Sequence, residues 1–185
     1  MTALRKYGVE ITASALTACV VVALIVLLPF PRVAPGPVLE DRMLDGFTPY
    51  SIDGASIGTR TFLLGGRPRP VVEAVVGEPI VFTGWAVDGV TRTPVQAVVA
   101  VVDGGASYRA LPTIPRSDVA SKLGSAGYTL SGFTLTLPRC ALSAGAHRVA
   151  FRFVASDGRG YYGTGDYIDV DVRPAPPKSP SAPCG

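Results

Sequence analysis

The chain has 185 residues, a formal net charge of +3 and a mean hydropathy of +0.35, with 48% hydrophobic residues. That length holds one ordinary domain and something small beside it. The charge is slight and scattered, with no run of Lys and Arg interleaved with aromatics, which argues against a nucleic-acid partner.

Residues 1–10 read as a short cytoplasmic stub. The segment that follows, ITASALTACVVVALIVLLPFP (11–31), carries no charge. Ile11 to Leu28, at about 1.5 Å per residue, reaches roughly 27 Å, close to the hydrocarbon thickness of a bilayer. Backbone hydrogen bonding in lipid makes a helix the sensible conformation, so 11–30 is expected to be a single transmembrane helix, stopped by Pro29 and Pro31. A cleaved signal peptide would need a better small-residue site than RVAP. LTAC (16–19) resembles a lipobox, but the apolar run continues from Val20 to Leu28 beyond Cys19. Arg5 and Lys6 before the helix orient the N-terminus to the cytoplasm and the rest outward. Ala15, Cys19 and Ala23 recur every four residues, a small-residue ridge against which a partner helix can pack.

Residues 31–44, with Pro31, Pro35 and Pro37, read as a stiff stalk. From 45 to 173 the pattern is β. DGFTPYSIDGASIGTRTFLLGG (45–66) is glycine-rich and ambiguous between an edge strand and a loop. GEPIVFTGWAVDG (77–89) is apolar on both parities and holds Trp85, which is expected in the core between two sheets. VQAVVAVVDGG (95–105) has the two-sided apolarity of a central strand and ends in an Asp-Gly hairpin signal. Further Asp-Gly pairs at 53–54, 88–89 and 157–158 suggest turns.

RSDVASKLG (116–124) reads as one short helix, with Ser117 as N-cap, Asp118 in the first turn, Lys122 in the last and Gly124 as the left-handed stop. FTLTL (133–137) alternates, with Phe133, Leu135 and Leu137 on one face. HRVAFRFVA (147–155) puts His147, Val149, Phe151 and Phe153 inward and Arg148 and Arg152 outward. DYIDVDV (166–172) turns Asp169 and Asp171 outward, within cross-strand reach of those arginines if the two strands pair. Period-two alternation with one wet face marks antiparallel sheets, and the whole reads as a β-sandwich of about seven or eight strands. RPAPPKSPSAPCG at the end (tail 174–185) is proline-rich and without periodicity, as expected of a disordered tail.

Few residues offer chemistry. His147 is the single histidine, on the inward parity, with no G-x-S-x-G serine and no catalytic cysteine signature beside it. Asp157, Asp166, Asp169 and Asp171 could approach a calcium ion, but outward aspartates are also how an exposed edge strand is blunted. No metal, cofactor or catalytic residue is expected. GRGYYGTGDY (158–167) sets paired tyrosines among glycines. Tyr161, Tyr162 and Tyr167 there are candidates for stacking on a sugar or clasping a partner, against the plainer reading of a hairpin loop that covers the end of the sandwich. Cys140 and Cys184 are either a disulfide that ties down the tail or two unpaired thiols.

The order GWAVD, VVDGG, RSDVASKLG, SGF, LSAGAHRV and DGRGYY resembles the immunoglobulin- or fibronectin-III-like β-sandwich modules of bacterial envelope proteins. Several of these accompany membrane enzymes that build or decorate surface polysaccharides. The resemblance spans Gly77 to about Val172. It implies a non-catalytic extracytoplasmic module in the bacterial plasma membrane, with Trp85 as a core residue and RSDVASKLG as a cap helix. No enzyme domain is expected within these residues, so any enzymatic role is expected of a partner. The function expected is that of an accessory or scaffold subunit of a larger membrane complex. A carbohydrate-binding module using the aromatic residues is the alternative.

Overall fold

The structure, a computed structural model, describes residues 42–176 except Phe47 and Arg67. The expected membrane helix at 11–30 with its Ala15–Cys19–Ala23 ridge, most of the expected stalk, Cys184 and most of the expected tail lie outside those residues. Among the described residues no helix is long and apolar enough to cross a membrane.

The described residues form ten strands: β1 (Tyr50–Ile57), β2 (Arg60–Leu63), β3 (Val72–Val75), β4 (Ile80–Asp88), β5 (Thr93–Pro94), β6 (Ala97–Val102), β7 (Ser107–Ala110), β8 (Gly132–Leu137), β9 (Gly145–Val154) and β10 (Tyr161–Arg173). They build two sheets, an all-β sandwich with one short helix. In the first, β2, β1 and β4 are neighbours, and β8 and the two-residue β5 also pair with β4. The second runs β3-β10-β9-β6-β7.

The core lies between the sheets and draws on both. Phe82, Phe133, Leu135 and Leu137 come from the first, and Val98, Val149, Phe151, Phe153, Ile168 and Val170 from the second. Phe133, Phe151 and Phe153 are buried here, as their parity requires. Two ring pairs bridge the sheets: Phe82 meets Phe151 edge-on at 5.4 Å, and Tyr50 meets Phe153 at 4.8 Å. β6 is buried on both faces along its whole length, flanked by β9 and β7.

Four expectations change. The 45–66 stretch is a hairpin, β1–β2, that turns at Gly58 (φ +57), whereas Asp53-Gly54 lies inside β1 at a bulge against β4. The second sheet is not wholly antiparallel. The chain crosses between sheets through Pro68–Pro70 and enters beside β10 running the same way, so Val72 to Val75 pair in parallel with Val170 to Arg173. The helix, α1 (Ser117–Lys122), starts one residue earlier than expected, with Arg116 at the N-cap and no side-chain cap bond. Arg116 instead binds Asp118 through two nitrogens (2.9 and 2.7 Å) and Asp53 of β1 at 2.7 Å, which pins the helix to the first sheet. Gly124 takes the left-handed stop at φ +66.

Trp85 is the fourth. It does not sit between the sheets. Ile80, Phe82, Gly84 and Ala86 take the inward parity of β4, which leaves Trp85 half-buried on the outer face. There it packs with Val87 against Val119 of α1 and Tyr128 of the following 3-10 turn (Ala126–Tyr128), in a satellite core of its own. The strand is apolar on both parities because the sandwich covers one face and α1 covers the other.

Gly84 shows how closely the inner face is packed. It pairs with Phe133, and a Cβ there would overlap the Ser51 carbonyl oxygen and press the Phe133 ring at 3.0 Å. Gly84→Ala is therefore expected to destabilise the domain by about 3 kcal/mol through overpacking, read as a lowered urea midpoint with an unchanged slope.

Candidate functional site

The residues singled out in GRGYYGTGDY are not in a loop. Tyr161 begins β10, which pairs with β9 up to Gly163, bulges, and resumes at Tyr167. Gly165 takes φ +64 within the bulge, and Thr164 Oγ1 accepts the Asp166 N–H at 3.1 Å. Strand parity then separates the paired tyrosines. Tyr162 points into the core and is 7% exposed, whereas Tyr161 and Tyr167 lie on the outer face of the second sheet.

On that outer face β9 contributes Arg148 and Arg152. The Arg152 guanidinium lies 4.6 Å from the Tyr161 ring centroid and that of Arg148 lies 4.4 Å from Tyr167. Arg148 also approaches Asp169 at 3.6 Å, the cross-strand pairing anticipated from the outward parity of both. At the sheet edge Arg173 joins Glu73 of β3 at 2.8 Å. The result is a stacked arginine–tyrosine ladder, with Tyr167 45% exposed at its centre.

The inward Tyr162 leads to a residue that the sequence analysis passed over. Asp88 ends β4 and is 1% exposed. Its Oδ1 accepts the Val90 N–H (2.9 Å) and the Thr91 N–H (3.3 Å), and lies 3.4 Å from the Tyr162 hydroxyl. Its Oδ2 accepts the Ser156 N–H (3.0 Å) and hydroxyl (2.9 Å) from the β9–β10 turn. Burial alone would raise its pKa, but the Ser156, Thr91 and Val90 hydrogen bonds outweigh it and hold the carboxyl below the ordinary range. Read only as half of an Asp-Gly turn, Asp88 is in fact a buried anion joining the two sheets. The signal was its parity: it follows Ile80, Phe82, Gly84 and Ala86 on the inward face.

His147 lies at the other end of β9. Its Nδ1 is 2.7 Å from Asp103 Oδ2 and its Nε2 is 3.0 Å from the Ser143 carbonyl oxygen. Asp103 Oδ1 also accepts the Arg148 N–H at 2.8 Å. Both ring nitrogens face acceptors, an arrangement that suits the imidazolium. The Asp103 hydrogen bond raises the His147 pKa, and the same bond holds Asp103 low. Asp103 and Gly104 both take positive φ (+49 and +73), as the expected Asp-Gly hairpin turn requires, and this aims the carboxylate at His147.

Of the aspartates considered for calcium, Asp157 is held by Arg159 at 2.6 Å, Asp166 accepts the Tyr50 hydroxyl at 2.9 Å, and Asp169 faces Arg148. Among the described residues no group of three or more His, Cys, Asp or Glu side chains is arranged to hold a metal ion. Cys140 is disulfide-bonded; Cys184, one partner considered for it, lies outside the described residues. The chain matches no protein-family model and no curated protein.

Two measurements check this electrostatic frame. Asp88→Asn sets an amide donor against donors in the core and is expected to cost about 3 kcal/mol at neutral pH, read by urea unfolding. The His147–Asp103 pair gives a pH signature. The folded His147 pKa lies above the unfolded value of about 6.5, so its contribution is complete below that value and is lost as pH rises through the folded pKa. The folded Asp103 pKa lies below its unfolded value, so its contribution is complete above about 3.9 and is lost as pH falls through the folded pKa. The stability of the wild type relative to His147→Gln is therefore expected to be greatest between roughly pH 4 and 6.5 and to shrink on either side. A pH-independent difference would contradict the pairing.

Proposed function

We propose that this chain is a non-catalytic accessory subunit. In this reading an immunoglobulin-like sandwich is held on the outer side of a bacterial plasma membrane by a helix over 11–30, and it docks a partner membrane protein through the outer face of the second sheet. The observation that carries the reading is the arginine–tyrosine ladder of β9 and β10. Tyrosine and arginine are the side chains most often found at the energetic centre of protein interfaces. Here both are held by a paired, hydrogen-bonded hairpin, so little side-chain freedom is lost on docking. A guanidinium stacked by its face on a ring keeps in-plane N–H donors for another acceptor, which suits a partner surface bearing carboxylates.

Two further features support the assignment. Two sheets facing one core, with β10-β9-β6-β7 antiparallel in the second, follow the layered plan of immunoglobulin-like sandwiches. The single histidine has both ring nitrogens directed at structural acceptors, and so it is poorly placed to act as a base.

The test is gentle detergent purification of the full-length protein with whatever accompanies it. Arg152→Ala with Tyr161→Ala, and separately Tyr167→Ala, are expected to lower recovery of the partner at least tenfold while the melting temperature stays close to that of the wild type. Undiminished recovery would remove the ladder from the interface. A protein that purifies alone and binds a glycan array through the same tyrosines would replace the scaffold reading with carbohydrate recognition.

A further inference from the structure

The outer face of the second sheet carries its charge unevenly. Toward the β10 bulge, Arg109 of β7 and Arg152 of β9 lie in one row, on either side of Val99. Toward the other end, Asp169 and Asp171 of β10 meet Glu73 of β3, with Asp171 and Glu73 side by side in the parallel pairing. Arg148 faces Asp169 at 3.6 Å and Arg173 joins Glu73 at 2.8 Å. Asp103, at the same end, pairs with His147 and accepts the Arg148 N–H. Two charges of opposite sign are left over. Among the described residues neither the exposed Asp171 nor Arg152, which is stacked on the Tyr161 ring, has an ion-pair partner.

These two lie at matched distances from the middle of the face. Across β9 and β10, Arg152 pairs with Gly163, Ala150 with Tyr167, Arg148 with Asp169 and Ala146 with Asp171. The Arg152 row and the Asp171 row are therefore about 20 Å apart at roughly 3.4 Å per residue. Ala150 and Tyr167, both exposed, lie near the midpoint. A two-fold axis in the plane of the face, crossing the strands beside Tyr167, exchanges the two rows. It lays Arg152 of one copy over the Ala146–Asp171 row of the other and makes the same contact a second time. Sheets packed face to face lie about 10 Å apart, a gap that arginine spans. Self-complementarity under a two-fold is what an isologous contact requires, whereas a face shaped for a different protein does not require it.

If, as proposed above, the ladder docks a partner, we infer that this partner is a second copy of the chain, joined face to face about a two-fold beside Tyr167 through reciprocal Arg152–Asp171 ion pairs. The ion pairs set orientation and register more than they add affinity. Tyr167 and Ala150 supply the desolvated centre.

The test is sedimentation equilibrium of the full-length protein in a density-matched maltoside detergent. The wild type is expected to exchange between monomer and dimer, with the dimer weakening from ~50 to ~500 mM salt. Arg152→Asp and Asp171→Arg are each expected to weaken it roughly tenfold or more. An equimolar mixture of the two variants is expected to recover to within about threefold of the wild type, because a mixed pair has opposite charges at both contacts. A wild type that stays monomeric up to ~100 µM, a dimer indifferent to either substitution, or variants that do not recover on mixing would each overturn the proposal. So would a salt-independent dimer, a result that needs no variant to fold. A monomeric wild type that still loses a different, copurified membrane protein on Tyr167→Ala would keep the docking role of the ladder and remove only the second copy.

Discussion

The carboxylate of Asp88 is the point on which the two sheets agree. It belongs to the last residue of β4, in the first sheet, and it is satisfied by the turn between β9 and β10, in the second. A buried anion with a full set of donors is stable only in that geometry. Withdraw one donor and the desolvation cost of the charge is no longer offset. The core between the sheets supplies more free energy, but it is forgiving in detail: apolar side chains of the right volume can slide and repack. A carboxylate with four main-chain and hydroxyl donors at 2.9–3.3 Å cannot. Asp88 therefore fixes how the end of β4 meets the β9–β10 hairpin.

What the hairpin presents on either side follows from that placement. Tyr162 lies against Asp88 and is held inward, which forces Tyr161 outward onto Arg152. Beyond Gly163 the bulge shifts the register before pairing resumes, so Tyr167 also faces out, over Arg148. The same irregularity that realigns the ladder takes Thr164 and Asp166 out of the β9 register and leaves a pocket of about 290 Å³ between them and Tyr50. Outer face and inner pocket are thus two consequences of one bulge in one strand, a frequent use of such irregularities near functional surfaces.

Much of the sheet architecture was legible because alternation is a strong local signal. Phe133, Leu135 and Leu137 in β8, Val149, Phe151 and Phe153 in β9, and Ile168, Val170 and Val172 in β10 are buried on the parity the sequence displays. The turns at Asp103-Gly104 and Asp157-Gly158 were legible for the same reason, since positive φ at Asp103, Gly104 and Gly158 needs residues of that kind. Asp53-Gly54 carries the same dipeptide yet sits in a strand, because pairing with β4 and β2 overrides a two-residue preference. Trp85 was misplaced because a strand covered on both faces looks alike on either parity, and α1, which covers the outer one, is distant in sequence. Tyr161 and Tyr162 were misread because glycines flanking an aromatic pair look like a loop, whereas a bulged strand uses them too; Tyr167 lies in its strand and faces outward, as its parity indicates. Asp88 was missed because its inward parity was outweighed by the Asp-Gly turn signal, and because the two donors that complete its carboxylate lie 68 residues away at Ser156.

The ladder and the His147–Asp103 pair share β9 but answer to different forces. Asp103 is an exposed carboxylate, and its link to a half-buried His147 depends on protonation and, in part, on ionic strength. Stacking of Arg148 and Arg152 on tyrosine rings depends on dispersion and the ring quadrupole, which salt screens little at contact. The two meet at Arg148, whose main-chain N–H binds Asp103 and whose side chain covers Tyr167. Loss of the imidazolium would loosen the β6–β7 turn where it contacts β9, yet the β9–β10 pairing that carries the ladder is separately secured by the hydrogen bonds of the hairpin and by Asp88 at its far end. The outer face is therefore built to keep its shape across the pH range in which the histidine changes charge.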